Sequence, residues 1–135
     1  MCIIRHNTPR MLPFVVNFRP GEPPYEEIIF AVKRAVATGR LKSGNAFPSV
    51  RTLSRELKLN PNTCQKAVTA LKTEGILSVQ PGVGTIICER PEISTEETIS
   101  MLHDVLENLV VEARQLGLSE VELKRAVSEK WRNLK

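Results

Sequence analysis

One segment, residues 47–75, limits the possible folds of this chain more than any other. Its sequence, FPSVRTLSRELKLNPNTCQKAVTALKTEG, predicts two short helices joined by a tight turn. Pro48 has the fixed φ that suits the first position of a helix, and apolar residues then recur at helical spacing. Asn60 and Pro61 are typical of the cap and the first position of the second helix. Its apolar residues recur three and four positions apart until Gly75, a typical helix end. The pattern predicts a helix-turn-helix.

The solvent face predicted for the second helix carries hydroxyl, amide and ammonium groups and no carboxylate. The residues on this face are Asn62, Thr63, Gln65, Lys66, Thr69 and Lys72. A helix face that meets only solvent usually mixes Glu with Lys, since opposite charges four residues apart stabilise it. Amides, hydroxyls and lysines instead match base edges and phosphates. The second helix is therefore predicted to be a DNA recognition helix.

Two short runs rich in β-branched residues follow, at residues 76–79 and 85–88. The turn of Pro and Gly between them, residues 80–84, predicts a β-hairpin. A hairpin directly after a helix-turn-helix is a winged helix, so the predicted fold class is mainly α with a small β-hairpin. Glycines let a wing approach the DNA backbone closely. The candidate wing residues are Gly82, Val83, Gly84 and Thr85.

Residues 24–89 resemble the DNA-binding domain of GntR-type bacterial transcription regulators. The segments that carry the resemblance, in order and without a gap, are PPYEEI (23–28), ATGRLKSG (37–44), FPSVRTLSREL (47–57), LNPNTCQKAVTALKTEGIL (59–77) and PGVGT (81–85). The NPNT turn and the short C-terminal segment are most similar to the YtrA subfamily. Val83 stands where the family's wing commonly has Arg or Lys, and Gln65 where Arg is frequent.

The resemblance implies a sequence-specific DNA-binding transcription regulator, most often a repressor. It places Arg51 at a position that contacts bases in related proteins, and the planar guanidinium suits guanine. The other candidates for base readout are Asn62, Thr63 and Gln65. The candidates for phosphate contact are Arg40, Lys42, Arg55 and Lys66. The alternative is a winged helix that binds a protein and not DNA, which would present a more apolar recognition face.

The distribution of charge agrees with DNA binding. Residues 1–91 hold 13 Lys and Arg against 6 Asp and Glu, a net charge of +7. Residues 92–135 hold 6 against 9, a net charge of −3, which gives the formal +4 of the whole chain. The positive field therefore belongs to the predicted winged helix. The predicted organisation is an N-terminal extension at 1–22, a winged helix at 23–90 and a C-terminal helical hairpin at 91–135.

Two capping-box patterns, Ser94 with Glu97 and Ser119 with Glu122, predict a long helix that ends at Gly117 and a second helix after it. The apolar residues that line this αα-hairpin are Ile99, Leu102, Leu106, Leu109, Leu116, Leu123, Val127 and Trp131. A hairpin of this size is near the lower limit for independent folding, so its stripe needs a partner. The winged helix of the same chain would suffice. A homodimer is preferred, because helix-turn-helix proteins usually bind two half-sites.

Three other segments bear on the fold. Apolar residues at helical spacing over 24–38 predict a first helix that closes the core. The loop over 40–47 should bury Leu41 and Phe47. Residues 11–18 could form one short edge strand that packs beside the winged helix.

An enzyme is not expected, because no nucleophile–base pair, metal-ligand cluster or phosphate-binding glycine loop is present. No cofactor or metal is expected either, since Cys2, Cys64 and Cys88 lack metal-ligand spacing. Neither a signal peptide nor the ~18 apolar residues of a membrane span are found, which predicts a cytoplasmic protein. The narrow apolar stripe leaves little room for an effector pocket of ~300 Å³. Any effector is therefore expected at a dimer interface, if one exists.

Overall fold

The structure, a computed structural model, describes residues 12–134, which form six helices and one two-stranded antiparallel sheet. The elements are α1 (Pro24–Ala37), α2 (Val50–Leu57), α3 (Pro61–Thr73), β1 (Leu77–Gln80), β2 (Gly84–Ile87), α4 (Thr95–Met101), α5 (His103–Gln115) and α6 (Glu120–Asn133). The chain divides after Arg90 into two compact units. The predicted fold class is confirmed. None of the helices within residues 12–134 is long and apolar enough to cross a bilayer.

The core of the first unit lies between α1, α2 and α3, with α3 packed on both of the others. Ile28 and Val32 of α1, Leu53 of α2, and Cys64 and Leu71 of α3 have no accessible surface. They meet because the apolar positions of each helix recur on one face. Burial of each large aliphatic side chain stabilises the fold by about 1.5–3 kcal/mol.

Glycines end α1 and α3 in the same way, as the sequence predicted. Gly39 (φ 82°) and Gly75 (φ 79°) adopt the left-handed conformation just after each helix. The N–H of the following residue then reaches the carbonyl five residues back at 2.9 Å in both cases. This helix ending reverses the chain. Leu41 and Leu77, each 2% exposed, return to the core as a result.

The start of α2 corrects one prediction. Pro48 was expected at the first helical position, but the helix begins at Val50 and Ser49 is its cap. The Ser49 hydroxyl accepts the backbone N–H of Thr52 at 3.1 Å. A hydroxyl that satisfies an N–H of the first turn favours this later start, and Pro48 only leads into the cap.

The β-hairpin forms one residue closer to its turn than predicted. Leu77 pairs with Ile87, and Gln80 pairs with Gly84. The turn is correspondingly short, because the Val83 N–H donates to the Gln80 carbonyl at 3.0 Å across Pro and Gly. A Pro followed by a Gly at positive φ is the sequence that a type II turn requires.

The segment before α2 adds a third stretch of extended chain to this sheet, which the sequence did not predict. Ala46 forms a bridge with Ile86. Gly44 and Phe47 donate their N–H groups to the carbonyls of Ile87 and Thr85, each at 2.8 Å. The expected burial of Leu41 and Phe47 is confirmed.

The edge strand expected over residues 11–18 is absent from the part of that range that the structure describes, residues 12–18. The segment bends instead, and Phe14 enters the core with 5% exposure. Its ring stacks on Phe47 at 5.7 Å between centroids and 7° between planes. Pro13 has no N–H to donate to a sheet, while core burial stabilises the bent chain. Packing beside the winged helix is confirmed.

A bidentate ion pair also holds this segment to α1. Arg19 donates from Nε and Nη2 to the Glu27 carboxylate, at 2.8 and 3.2 Å. The Arg19 backbone N–H donates to the same carboxylate at 3.2 Å. The hydrogen bonds from the Arg19 side chain lower the pKa of Glu27, which is 5% exposed. A charge buried to this degree needs such a partner.

The second unit contains three helices where the sequence predicted two. Both predicted capping boxes are confirmed: Ser94 and Ser119 accept the N–H of Glu97 and Glu122 at 3.1 Å. The first long helix, however, is interrupted at Leu102. There the N–H reaches the carbonyl three residues back, which tightens the turn locally. Neither Pro nor Gly stands at this position, so no local pattern predicted the interruption.

The apolar side chains of the second unit are accessible. Seven of the eight predicted interface residues are exposed, from 41% at Leu109 to 83% at Trp131, and Leu123 is half-buried. Ala113 is the only buried residue that the structure describes in this unit. A groove of about 510 Å³ at the junction of α5 and α6 also exceeds the room that the sequence suggested. Its lining residues are Val110, Ala113, Arg114, Leu118, Ser119, Glu120 and Leu123.

Candidate nucleic-acid interface

The turn between α2 and α3 is built from hydrogen bonds that fix how the second helix leaves the first. Lys58 adopts the left-handed conformation at φ 56°. The Ser54 carbonyl accepts the Leu59 N–H at 3.1 Å, and the Ser54 hydroxyl donates to the Leu59 carbonyl at 2.6 Å. Asn60 then caps α3 by accepting the Asn62 N–H at 2.7 Å, as predicted. No sequence pattern indicated that Ser54 would hold this turn, because a serine near a helix end is usually solvent-exposed.

The face of α3 opposite the core matches the face predicted from the sequence. Its exposed residues are Asn62, Gln65, Lys66, Thr69 and Lys72, and Thr63 is half-buried. The first carboxylate, Glu74, follows the end of the helix and pairs with Lys33 of α1 at 2.6 Å. The exposed face therefore presents hydrogen-bonding groups and cations without a competing anion.

Gln65 does not extend freely from this face. Its amide nitrogen donates to the Thr69 hydroxyl one turn later, at 3.1 Å. To form a bidentate contact with adenine, the Gln65 amide must therefore break its hydrogen bond to Thr69, or keep that bond while it contacts the base. Thr69 was assigned to the face but not to the site, and its contact with Gln65 makes it part of the site.

Lys66 has a partner on another helix. Its ammonium lies over the ring of Tyr25, 4.0 Å from the centroid. Tyr25 is the second residue of α1, half-buried against the core. Aromatic side chains near a predicted core are usually assigned to packing alone, so the sequence did not indicate this contact.

Arg51 lies in the first turn of α2 and is exposed. Its guanidinium forms no hydrogen bond or ion pair with any residue between 12 and 134. A cation is unfavourable at this end of a helix, where the N–H groups already present positive charge. Its place is therefore not explained by stability, and it suits an anionic or electron-rich partner.

Helices α2 and α3 differ from the other helices in the charge of their first turns. Among residues 12–134, the first turns of α1, α4, α5 and α6 all contain Asp or Glu, which stabilise a helix N-terminus. Those of α2 and α3 contain none. Two helix N-termini without a carboxylate can both accept external phosphate.

The sheet places the wing near the start of α2. The Phe47 N–H is bonded to the Thr85 carbonyl, and Ser49 begins the cap of α2 only two residues later. Thr85 is the second residue of β2, next to the wing turn. At the tip, Val83 is 68% exposed. The segment that leads into α2 therefore meets β2 at the end of the sheet that carries the wing.

Arg40 and Lys42 lie toward the end of the sheet that is opposite the wing. They precede Gly44, whose N–H bonds to Ile87 at the end of β2 that is farthest from the wing turn. Both are exposed, but the structure does not bring them together with the wing tip. Arg55 is also exposed, and the neighbouring Glu56 carboxylate lies 3.6 Å from its Nε.

The two cysteines that the structure describes, Cys64 and Cys88, both lie in the first unit. Burial raises the pKa of the Cys64 thiol, which keeps it neutral and unreactive. Cys88 is half-buried, and Cys2 lies outside the described residues. Within residues 12–134, no three His, Cys, Asp or Glu side chains are placed to hold a metal ion.

Comparison with known proteins decides the family. The family described as "Bacterial regulatory proteins, gntR family" matches residues 24–87. The repressor YtrA of Bacillus subtilis is 34% identical over 115 residues, which span 84% of this chain and 88% of YtrA. The uncharacterised regulator YhcF of the same organism is 32% identical, over 79% of this chain and 88% of YhcF. The chain belongs to the GntR family.

Solved structures agree with this assignment to the GntR family. A protein described as a transcriptional antiterminator from Listeria monocytogenes EGD-e has a TM-score of 0.74 at 26% identity, covering 86% of this chain and 87% of that one. YtrA from Sulfolobus acidocaldarius, a GntR-family transcription factor, has a TM-score of 0.53 at 28% identity, covering 85% and 97%. The predicted similarity to YtrA-type regulators is confirmed. This GntR-family chain is a transcription regulator with a DNA-binding helix-turn-helix domain.

Proposed function

We propose that this GntR-family regulator binds a two-half-site DNA operator as a homodimer and represses transcription from it. The observation that carries the proposal is the exposed face of α3, which presents amides, hydroxyls and lysines up to Glu74. Such a face supports base and phosphate contacts. It does not favour a protein-binding winged helix, which would need an apolar surface.

In this proposal Arg51, Asn62, Thr63 and Gln65 read bases, and Lys66 and Arg55 contact phosphates. The absence of acidic residues from the first turns of α2 and α3 supports an approach of both N-termini to the DNA backbone. The wing contacts the backbone beside them, since the Phe47–Thr85 hydrogen bond ties it to the segment before α2. Arg40 and Lys42 then contribute through long-range attraction more than through contact.

The proposal of a homodimer is supported by the composition of the second unit. Three helices in which Ala113 alone of the described residues is buried have almost no core of their own. Isolated helices of 13 or 14 residues, as α5 and α6 are, have marginal stability in water. A second copy that covers the exposed stripe of α4–α6 would supply the missing core.

The direction of regulation is proposed from a relative. YtrA of Bacillus subtilis, named a transcriptional repressor, is similar along most of this chain. A DNA-binding protein represses most simply by occupying DNA that the polymerase needs. Since its ligand is chromosomal DNA, we place the protein in the cytoplasm.

The proposal is tested by footprinting the purified protein on the DNA upstream of its own operon. Two protected half-sites related by a two-fold axis are expected, with protection that weakens steeply as salt increases. Six to ten phosphate contacts would reduce the affinity by about 10³ to 10⁵ between 50 and 200 mM salt. If no region is protected and any binding to DNA does not depend on salt, the proposal is contradicted and the protein-binding alternative is favoured.

A further inference from the structure

We propose that Tyr25 is a positioning residue for DNA binding, whose ring holds the Lys66 ammonium where it can meet a backbone phosphate. The inference rests on the proposed DNA binding and extends it to a residue outside the helix-turn-helix. It concerns the contact between the start of α1 and the exposed face of α3.

The geometry is that of a cation–π contact. The Lys66 ammonium lies 4.0 Å from the centroid of the Tyr25 ring, well within the ~6 Å over which such contacts are attractive. The ring is held in turn by the core, against which Tyr25 packs. Because α1 and α3 pack on each other, the ring has a fixed place relative to the recognition helix.

This partner differs in kind from those of other cations in the first unit. Lys33 and Arg55 each lie beside a carboxylate, of Glu74 and Glu56, which compensates their charge. An aromatic ring attracts a cation through its quadrupole and leaves the net charge unchanged. Lys66 is thus restrained while its full positive charge stays available to a phosphate.

Restraint matters for lysine in particular. A free lysine side chain occupies many rotamers, and fixing it on a phosphate costs conformational entropy. A ring that already limits the ammonium to one region reduces that loss on binding. The Tyr25 ring therefore increases affinity for DNA only when Lys66 is present, which is the relationship that an experiment can isolate.

The test uses the full chain and a 30-base-pair duplex of random sequence, since phosphate contacts do not depend on sequence. Fluorescence anisotropy measures the affinity of the wild type, Tyr25→Leu, Tyr25→Phe, Lys66→Met and the double variant Tyr25→Leu/Lys66→Met. Tyr25→Leu should weaken binding about two- to five-fold per protomer, the range of an exposed cation–π contact. Tyr25→Phe keeps the ring and should bind like the wild type. In the Lys66→Met background, Tyr25→Leu should have no further effect.

Two outcomes overturn the inference in a protein that does bind DNA. Equal losses from Tyr25→Leu with and without Lys66 would show that the ring acts on something else. Equal losses from Tyr25→Phe and Tyr25→Leu would assign the effect to the hydroxyl. Thermal unfolding checks that each variant is folded, and Tyr25→Met provides a second variant without a ring. If the wild type itself fails to bind the duplex in a salt-dependent way, the proposed function has failed and the inference with it. That result is distinct from additive losses in a protein that binds.

Discussion

The backbone N–H of Phe47 donates to the carbonyl of Thr85 at 2.8 Å, which joins the segment before α2 to the strand that leaves the wing. The side chain of Phe47 stacks on Phe14 in the core at the same time. One residue therefore ties the core, the wing and the approach to α2 together. Arg51 follows four residues later, just after the Ser49 cap that begins α2.

Arg51 is expected to read a base. Arg51→Ala should weaken operator binding by about 1–3 kcal/mol and relax the preference at one base pair per half-site. Arg51→Lys keeps the charge but loses the planar fork, so it should also lose base preference. Anisotropy titrations on operator and scrambled DNA measure both. An equal loss on the two DNAs, with base preference intact, would make Arg51 a phosphate clamp and leave readout to Asn62, Thr63 and Gln65.

Lys66 is expected to hold the backbone without reading sequence. Lys66→Ala should weaken binding to operator and scrambled DNA about equally, because phosphates carry no sequence information. The slope of log affinity against log salt should decrease by about one per protomer. A loss confined to the operator would instead assign Lys66 to base readout.

The exposed stripe of the second unit is expected to form the dimer interface. Leu109→Asp should place an unpaired carboxylate in that interface, which costs several kcal/mol, and light scattering should show monomers. Val111→Asp is the matched control, since Val111 lies two positions along the same helix, is 60% exposed and is outside the stripe. A Leu109→Asp protein that stays dimeric would move the interface elsewhere, provided circular dichroism shows native helix content in both variants.

The Arg19–Glu27 pair should make stability depend on pH. Hydrogen bonds from Arg19 lower the pKa of Glu27 in the folded chain, so protons bind the unfolded chain more readily. The contribution of the pair is therefore complete well above the unfolded value of about 4.3 and is lost as the pH falls through the lowered value. Urea unfolding across pH 3–7 should show wild type and Glu27→Gln differing most near neutrality and converging in acid. A difference that does not change with pH would exclude this role for Glu27.

Lys58 has the one positive φ among the non-glycine residues between 12 and 134. The left-handed conformation costs an L-residue roughly 1–2 kcal/mol, which glycine avoids because it has no Cβ. Glycine also makes the unfolded chain more flexible, which costs about 0.5–1 kcal/mol of stability. Lys58→Gly should therefore raise the free energy of unfolding slightly, by up to about 1.5 kcal/mol. Lys58→Val should lower it, because a β-branched residue fits this conformation poorly. Urea titrations rank the three proteins, and a Lys58→Gly protein less stable than Lys58→Val would contradict the argument.

Local patterns in the sequence predicted the features that depend on a few neighbouring residues. The Asn60 cap, the capping boxes at Ser94 and Ser119, and the glycine ends at Gly39, Gly75 and Gly117 are of this kind. Each is a hydrogen bond or a backbone conformation within one turn of chain, so the residues that decide it are adjacent in the sequence. The polar face of α3 follows in the same way from helical periodicity.

Contacts between residues far apart in the chain depend instead on how the elements pack. The Tyr25 ring meets Lys66 only because α1 packs on α3, and the Phe47–Thr85 bond forms only because the segment before α2 joins β2. Burial also overrode the strand expected over residues 11–18, in the part of that range that the structure describes, since Phe14 is more stable in the core than on a sheet edge. Local patterns were enough to predict which residues form the helix-turn-helix, because caps, turns and helical periodicity involve residues that are close in the chain. Which side chains of the helix-turn-helix meet residues of other elements depends on packing. The free energy of packing comes from contacts among residues that lie far apart in the sequence, so no local pattern predicts them.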